Sequence, residues 1–180
     1  IMALSNIFKC KPYRNMRFYF VGGHTIKYDN YLKSLCKEYK IDKYVHFEGF
    51  QDDVKKYYEL LDFIILPSVS EGAPYNIIEA MSFGIPVIVS NVGGNHELVI
   101  NGINGVIYEY TGIRELEQSK IYVKNYDEHL AIIHRDKINV ENITKSIIKL
   151  LDMQNYDDIY KNNKEFINNK FSENIYIESI

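Results

Sequence analysis

Short apolar runs alternate with amphipathic stretches along most of the chain. The runs are rich in β-branched and aromatic residues, which is typical of strands, and they cover Arg17–Val21, Tyr44–Gly49, Phe63–Leu66, Pro86–Ser90 and Gly105–Tyr108. The amphipathic stretches place apolar residues at helical spacing, and they cover Ile1–Cys10, Tyr28–Tyr39, Asp52–Asp62, Pro74–Phe83, Val140–Met153 and Tyr156–Asn169. Strands that alternate with helices predict an α/β fold with a parallel sheet, because parallel neighbours need a crossover connection.

Polar residues at the predicted helix starts suggest caps. Asp29 or Asn30 is expected near the start of the second helix, and Asn139 is expected to cap the helix that follows it. The pair Asp52-Asp53 is open to two interpretations, a metal site or a helix cap. We favour the cap, because carboxylates stabilise a helix N-terminus and the sequence shows no other convincing metal cluster.

The stretch from Phe63 to Ser90 combines a strand, a loop, a helix and a second strand. Pro74 is expected in the first turn of the helix, where a missing N–H has no cost. The apolar positions of the helix are Ile77, Ile78 and Met81, and Phe83-Gly84 is expected to end it. This βαβ unit requires parallel strands.

The loop before this helix carries the candidate chemistry. Ligands of open parallel sheets bind beyond the carboxyl ends of the strands, and a helix N-terminus there suits phosphate. Glu71 in the loop and Glu79 in the helix would flank that end, and Gly72 allows close approach of the backbone. Carboxylates accept hydroxyl hydrogen bonds, so a ligand with phosphates and sugar hydroxyls fits. The alternative is that Glu71 caps a turn and Glu79 lies on a solvated helix face.

The same stretch resembles the donor-binding signature of retaining glycosyltransferases of family 4, which have the GT-B fold. Their pattern is S-E-G-x-P-x-x-x-x-E-A-M-x-x-G-x-P-V-I-x-S-x-V-G-G-x-x-E. Its positions are matched by Ser70, Glu71, Gly72, Pro74, Glu79, Ala80, Met81, Gly84, Pro86, Val87, Ile88, Ser90, Val92, Gly93, Gly94 and Glu97. The likeness extends to Val45–Phe50, Asn101–Gly105 and Phe171–Ile180, where Glu173 replaces an aromatic residue.

The resemblance implies a Rossmann-like sheet sandwiched by helices, the donor-binding C-terminal half of a GT-B protein. The implied reaction transfers a sugar from a nucleoside diphosphate sugar, with retention, in polysaccharide or glycoconjugate synthesis. The alternatives are an enzyme that resembles a nucleotide-sugar 2-epimerase and a non-catalytic nucleotide-sugar-binding module. No cofactor or metal is implied, and nucleic acid is not an expected partner.

The resemblance also assigns roles to residues. Glu71 would be catalytic and contact the donor sugar, and Glu79 would accept the ribose hydroxyls. The backbone of Gly72, Ala73, Pro74, Tyr75 and Asn76 would hold the sugar and the distal phosphate. Gly22 and Gly23 would face the pyrophosphate, and Phe50 would border the base. For Gly22-Gly23 the alternative is an ordinary strand-to-helix turn, since the second glycine is displaced from the family's position.

Composition and charge limit the possible partners and location of the protein. The chain has 180 residues and a net charge of −3, which argues against bulk nucleic-acid binding. No apolar run approaches the ~20 residues of a membrane span. The locally basic stretch Lys9–Arg17 is interpreted as a solvated connection, the alternative being a contact with anionic lipid. Cys10 and Cys36 are expected to be reduced thiols. The expected location is the cytoplasm, with peripheral association with the membrane as an option.

Residues 1–180 are predicted to form one Rossmann-like domain of a larger protein, because the chain opens with Ile1 rather than Met. By this resemblance, the chain is expected to lack the family's N-terminal domain, which binds the saccharide or lipid-linked acceptor, and the first strand of the donor domain. Without them, the fragment is expected to be inactive. Residues 111–137 depart from the family and are predicted to form a hairpin insertion.

Overall fold

A computed structural model describes residues 1–10, 15–23, 25–111 and 137–171. These residues fall into two compact units, one formed by Ile1–Lys56 and one that begins at Tyr57. Each unit contains its own parallel sheet. The two units are described in turn.

The N-terminal unit alternates helices and strands: α1 (Met2–Lys9), β1 (Phe18–Val21), α2 (Ile26–Glu38), a 3₁₀ turn (Asp42–Tyr44) and β2 (Val45–Gly49). The strands β1 and β2 run parallel, with Phe18 opposite Val45 and Phe20 opposite Phe47. The register shifts after Phe20. Apolar residues of the helices and β2 form the core of this unit: Ala3, Leu4, Ile7, Leu32, Cys36, Ile41 and Val45.

The short helix α3 (Lys55–Tyr58) spans the boundary and leads into the C-terminal unit. The described elements that follow are β3 (Ile64–Leu66), α4 (Tyr75–Ser82), β4 (Val87–Ser90), α5 (Asn95–Leu98), β5 (Gly105–Tyr108), α6 (Lys137–Leu151) and α7 (Tyr156–Lys170). The sheet order is β3-β4-β5, and both pairings are parallel. All four residues of β4 are buried, as expected for a central strand covered on both faces.

The helix α4 is fixed to α7 at its C-terminal end. Gly84, which ends α4 with a φ of +84°, lies against the ring of Tyr160. The buried amide of Asn163 donates from Nδ2 to the carbonyl oxygen of Ile85 over 2.9 Å. Ile77 and Met81 of α4 are fully buried in the same cluster as Ile167 of α7. These contacts hold one end of α4 in place and leave its N-terminal end at the loop after β3.

The predicted α/β fold with parallel strands is confirmed. Each predicted strand is present, and the βαβ unit joins β3, α4 and β4 with Gly84 at the end of the helix. The insertion predicted for 111–137 falls almost entirely outside the described residues. The single-domain description of residues 1–180 stays a prediction.

The two predicted caps differ from the structure. The second helix begins earlier, at Ile26, and the Oγ1 of Thr25 accepts the hydrogen bond from the N–H of Tyr28. Asn139 lies inside α6, which begins at Lys137, and its Oδ1 accepts from the N–H of Thr111 instead. In both cases the helix begins earlier in the chain than the predicted cap residue. The helix predicted from Asp52 is also shorter, although the Oδ1 of Asp53 does accept from the N–H of Lys55.

Candidate functional site

The loop between β3 and α4 carries one candidate carboxylate, and α4 itself carries the other. Glu71 is half-buried in this loop, and Glu79 is the fifth residue of α4, with an exposed side chain. Pro74 is the N-cap residue and supplies no capping side chain. The first N–H groups of α4 therefore have no partner within the helix, since a helix start leaves its first donors unpaired. This is an electropositive helix end with a carboxylate on either side along the chain.

Glu71 is held by a chain of hydrogen bonds that crosses the sheet. The hydroxyl of Ser68 donates to the Oε1 of Glu71. The carbonyl oxygen of Ser68 in turn accepts from the hydroxyl of Ser90 over 2.6 Å. The amide of Asn95 donates from Nδ2 to the carbonyl oxygen of Ser90 over 2.9 Å. Ser90 and Asn95 are fully buried, so the last residue of β4 and the first of α5 fix the loop that carries Glu71.

A glycine pair in the next loop makes a direct backbone contact with the Glu71 loop. The N–H of Gly94 lies 3.3 Å from the carbonyl oxygen of Glu71 and donates to it. A Cβ atom on Gly93 would stand 1.7 Å from that oxygen, and one on Gly94 would stand 2.0 Å from the carbonyl oxygen of Gly72. Both distances are far inside van der Waals contact, so only glycine permits this approach.

Glu79 is held by a tyrosine from outside its helix. The hydroxyl of Tyr58 donates to the Oε2 of Glu79 over 2.8 Å, and the Tyr58 ring lies 5.5 Å from the ring of Phe83 at the end of α4. Burial, and after it the hydrogen bond to Glu79, raises the pKa of Tyr58 well above its usual range. The phenol therefore stays protonated and remains a hydrogen-bond donor at neutral pH.

The rest of the predicted donor loop is largely open. Gly72, Ala73, Tyr75 and Asn76 are exposed, Tyr75 with 65% of its surface, whereas Pro74 is buried. A Cβ atom on Gly72 would meet nothing within 4 Å. The backbone at Gly72 is therefore open on the side where a Cβ atom would stand.

The N-terminal unit brings Gly22, Gly23 and Phe50 together at the carboxyl ends of β1 and β2. The N–H of Gly22 donates to the carbonyl oxygen of Gly49 over 2.8 Å. A Cβ atom on Gly23 would lie 3.7 Å from the Cβ of Phe50. Phe50 is 75% exposed, so its ring offers an apolar face beside a glycine turn.

The described residues contain neither a side-chain cluster that could hold a metal nor a helix that could cross a membrane. Groups of three or more His, Cys, Asp or Glu side chains that can hold a metal do not occur in 1–10, 15–23, 25–111 or 137–171. Within the same ranges, the helices are too short or too polar to cross a membrane. Cys10 and Cys36 are both free, and burial raises the pKa of the Cys36 thiol.

Tyr58, Ser68 and the glycine–carbonyl contacts were not predicted as parts of the site. In the sequence, Tyr58 looks like an ordinary residue of an amphipathic helix. It lies 21 positions before Glu79, so no local pattern connects the two residues. Ser68 lies three residues before Glu71, a spacing at which a serine can bond locally, and this was the one signal within reach. The contact of Gly93 with Glu71 depends on how two loops cross, which spacing along the chain does not reveal.

Known proteins were compared with the chain. A family model described as "Glycosyl transferases group 1" matches residues 1–121. The UDP-Gal:alpha-D-GlcNAc-diphosphoundecaprenol alpha-1,3-galactosyltransferase of Escherichia coli is 37% identical over 109 residues, which are 58% of this chain and 28% of that protein. The chain spans between about a fifth and a third of the length of the first curated relatives that it matches.

Two solved structures share the fold. Anabaena HepE, in complex with UDP and glucose, matches with a TM-score of 0.68 and 20% identity, over 99% of this chain and 43% of that one. The C-terminal domain of a glycosyl transferase group 1 family protein (LpcC) from Francisella tularensis matches with a TM-score of 0.67 and 19% identity, over 94% of this chain and 76% of that one. The neighbours have the GT-B fold. Because the family model covers more than half of the chain, the chain belongs to the group 1 glycosyltransferases.

Proposed function

We propose that this chain is the donor-binding half of a retaining glycosyltransferase of family 4, which transfers a sugar from a nucleoside diphosphate sugar. The observation that carries the proposal is the uncapped N-terminus of α4 between Glu71 and Glu79. Phosphate suits the helix end, and sugar hydroxyls suit the carboxylates. A relative named for a UDP-galactose donor and a neighbour crystallised with UDP and glucose support this choice of ligand.

In this proposal, the two carboxylates of the C-terminal unit bind different parts of the donor. Glu71, fixed by Ser68, contacts the transferred sugar, and Glu79 accepts the ribose hydroxyls. The backbone from Gly72 to Asn76 holds the sugar and the distal phosphate. As the glycosidic bond breaks, charge develops on the departing diphosphate, and the helix end stabilises that charge without reorganisation. No metal is assigned to this step.

Other assignments are proposals of the same kind. By the family resemblance alone, Gly22 and Gly23 are assigned to the pyrophosphate and Phe50 to the base. The acceptor is a saccharide or lipid-linked sugar bound outside residues 1–180, and the transfer is of the hexosyl type. For that reason we expect these residues alone to bind the donor weakly and to transfer no sugar.

Calorimetric titration tests the donor site. UDP, GDP, ADP and their common sugar conjugates are titrated into this chain and into the longer natural protein that contains it. We expect one base to be preferred, and Glu79→Ala to weaken binding of that nucleotide about tenfold or more. Glu165→Ala is the matched control, because Glu165 is also an exposed glutamate on a helix of this unit and lies outside the signature.

Three outcomes would contradict the proposal. If the longer protein binds none of these nucleotides, the donor site is wrong. If Glu79→Ala and Glu165→Ala weaken nucleotide binding equally, Glu79 is not part of the donor site. In a transfer reaction with the preferred donor, NMR of the product should show retained anomeric configuration, and an inverted product would reject the retaining assignment.

A further inference from the structure

We infer that Tyr58 is a positioning residue for the donor ribose: its hydroxyl orients the carboxylate of Glu79 so that this carboxylate can receive a vicinal diol. The inference rests on the proposed function, because it names what fixes one of the two carboxylates proposed there. Tyr58 lies in α3 and not in α4, so the contact ties Glu79 to a separate element.

The geometry favours orientation over stability as the role of this contact. Glu79 is exposed, and an exposed glutamate samples several rotamers about its three side-chain torsions. Among the described residues, its carboxylate accepts a hydrogen bond from Tyr58. The ring of Tyr58 is itself held by packing against Phe83. The hydroxyl on this rigid ring thus selects one orientation of the Glu79 carboxylate. Ligand binding then loses less free energy to the ordering of that side chain.

The donor and acceptor count leaves room for a ligand. A carboxylate offers about four lone-pair directions. Tyr58 uses one of them on Oε2, so the Oε1 atom and one direction on Oε2 remain for the two hydroxyls of a ribose. The Tyr58 hydroxyl also lies 3.4 Å from the carbonyl oxygen of Asn76, one turn nearer the helix start. The hydroxyl therefore lies beside α4 at the level of Asn76 and Glu79.

Protonation keeps the contact in place. The raised pKa of Tyr58 holds the phenol neutral across the physiological range, with burial as the main cause. A neutral phenol donates to the carboxylate, whereas a phenolate would repel it. Titration of Tyr58 therefore does not remove this hydrogen-bond donor near neutral pH.

The test removes only the hydroxyl. Tyr58→Phe keeps the ring and its packing on Phe83, so the fold is retained and thermal unfolding can confirm this. The matched control is Tyr160→Phe, since the Tyr160 ring also packs at the end of α4, against Gly84. The probes are UDP, GDP and ADP, each paired with its 2′,3′-dideoxy analogue, and calorimetry is carried out on the natural protein that contains this chain.

We expect Tyr58→Phe to weaken binding of the preferred ribonucleotide about five- to tenfold and to leave its dideoxy analogue unchanged. Tyr160→Phe should change neither. In the Glu79→Ala background, Tyr58→Phe should have no further effect, because the residue acts through Glu79.

Several results would overturn the inference. If Tyr58→Phe has no effect, or weakens both probes equally, while Glu79→Ala abolishes the preference for ribose, then the inference fails and the proposed function stands. An additive loss in the double variant would show that Tyr58 acts independently of Glu79. If the unaltered protein binds no nucleotide, the proposed function and this inference fall together.

Discussion

The backbone N–H of Gly94 donates a hydrogen bond to the carbonyl oxygen of Glu71 across 3.3 Å, and neither glycine of the Gly93-Gly94 pair has room for a side chain. The position of one carboxylate therefore depends on residues that follow the next strand. The loops after β3 and β4 therefore hold each other in position at the carboxyl edge of the sheet.

Gly93→Ala should displace the Glu71 loop. The new methyl group would overlap the carbonyl oxygen of Glu71, and the φ of +49° adds about 1–2 kcal/mol of strain for a residue with a side chain. We expect a loss of sugar transfer of at least about tenfold at saturating donor. The measurement is kcat of the natural protein with its preferred donor.

The control for this variant is Gly102→Ala. Gly102 also has a positive φ, +84°, but a Cβ atom there would meet nothing within 4 Å. Gly102→Ala therefore introduces backbone strain without a steric overlap. We expect the free energy of unfolding to fall while kcat changes little. Equal kcat losses for the two variants would contradict the role assigned to the Gly93 contact.

Gly84→Ala should destabilise the C-terminal unit. Its φ is +84°, and a Cβ atom there would lie 2.3 Å from Cδ2 of the Tyr160 ring. We expect the free energy of unfolding in urea to fall by more than about 2 kcal/mol, from strain and overlap together. In a Tyr160→Ala background the overlap disappears, so Gly84→Ala should then cost only the conformational part, about 1–2 kcal/mol. Identical costs in the two backgrounds would show that the Tyr160 contact is unimportant.

Stability should fall in strong alkali. Burial, followed by the charge of Asp62, raises the pKa of Tyr156 to about 12, whereas an unfolded tyrosine titrates near pH 10. Between these two values the unfolded chain releases a proton that the folded chain keeps, so the unfolding free energy decreases as pH rises through this window. Below about pH 10 the contribution of Tyr156 is fully present.

Denaturant unfolding from pH 8 upward measures this effect. Tyr156→Phe should make the alkaline decrease shallower, with no change at pH 8 in the slope against pH. Phe166→Leu, in the same helix, serves as the control, since it alters core packing without removing a titrating group. An unaltered profile in Tyr156→Phe would mean that other groups, Tyr58 and Tyr108 among them, account for the loss.

The elements that local pattern specifies were predicted, and those that depend on long-range contacts were not. The apolar run that forms β4 and the end of α4 at Gly84 are local properties, and both were predicted. The cap of α2 was misplaced because Thr25, Asp29 and Asn30 are all acceptable cap residues, and the choice depends on where the helix packs. The side chain of Asn139 accepts a hydrogen bond from the N–H of Thr111, which lies 28 positions earlier in the chain. No local rule could indicate this contact.

The same division applies to the candidate site. Glu71 and Glu79 stand out because their spacing follows a loop and a helix start. Their supports, Ser90 and Tyr58, lie 22 positions from Ser68 and 21 from Glu79. A single sequence therefore indicates the candidate ligand-binding groups more readily than the residues that position those groups.

The open loop at the start of α4 has a consequence for protein engineering. Ala73 and Tyr75 are exposed, and nothing in the part of the chain described structurally depends on the Tyr75 ring for its core. Libraries that vary these two positions can explore sugar preference while the chain still folds. Random changes at Gly93 or Gly94 would mostly return inactive clones, so a useful library leaves the glycine pair untouched.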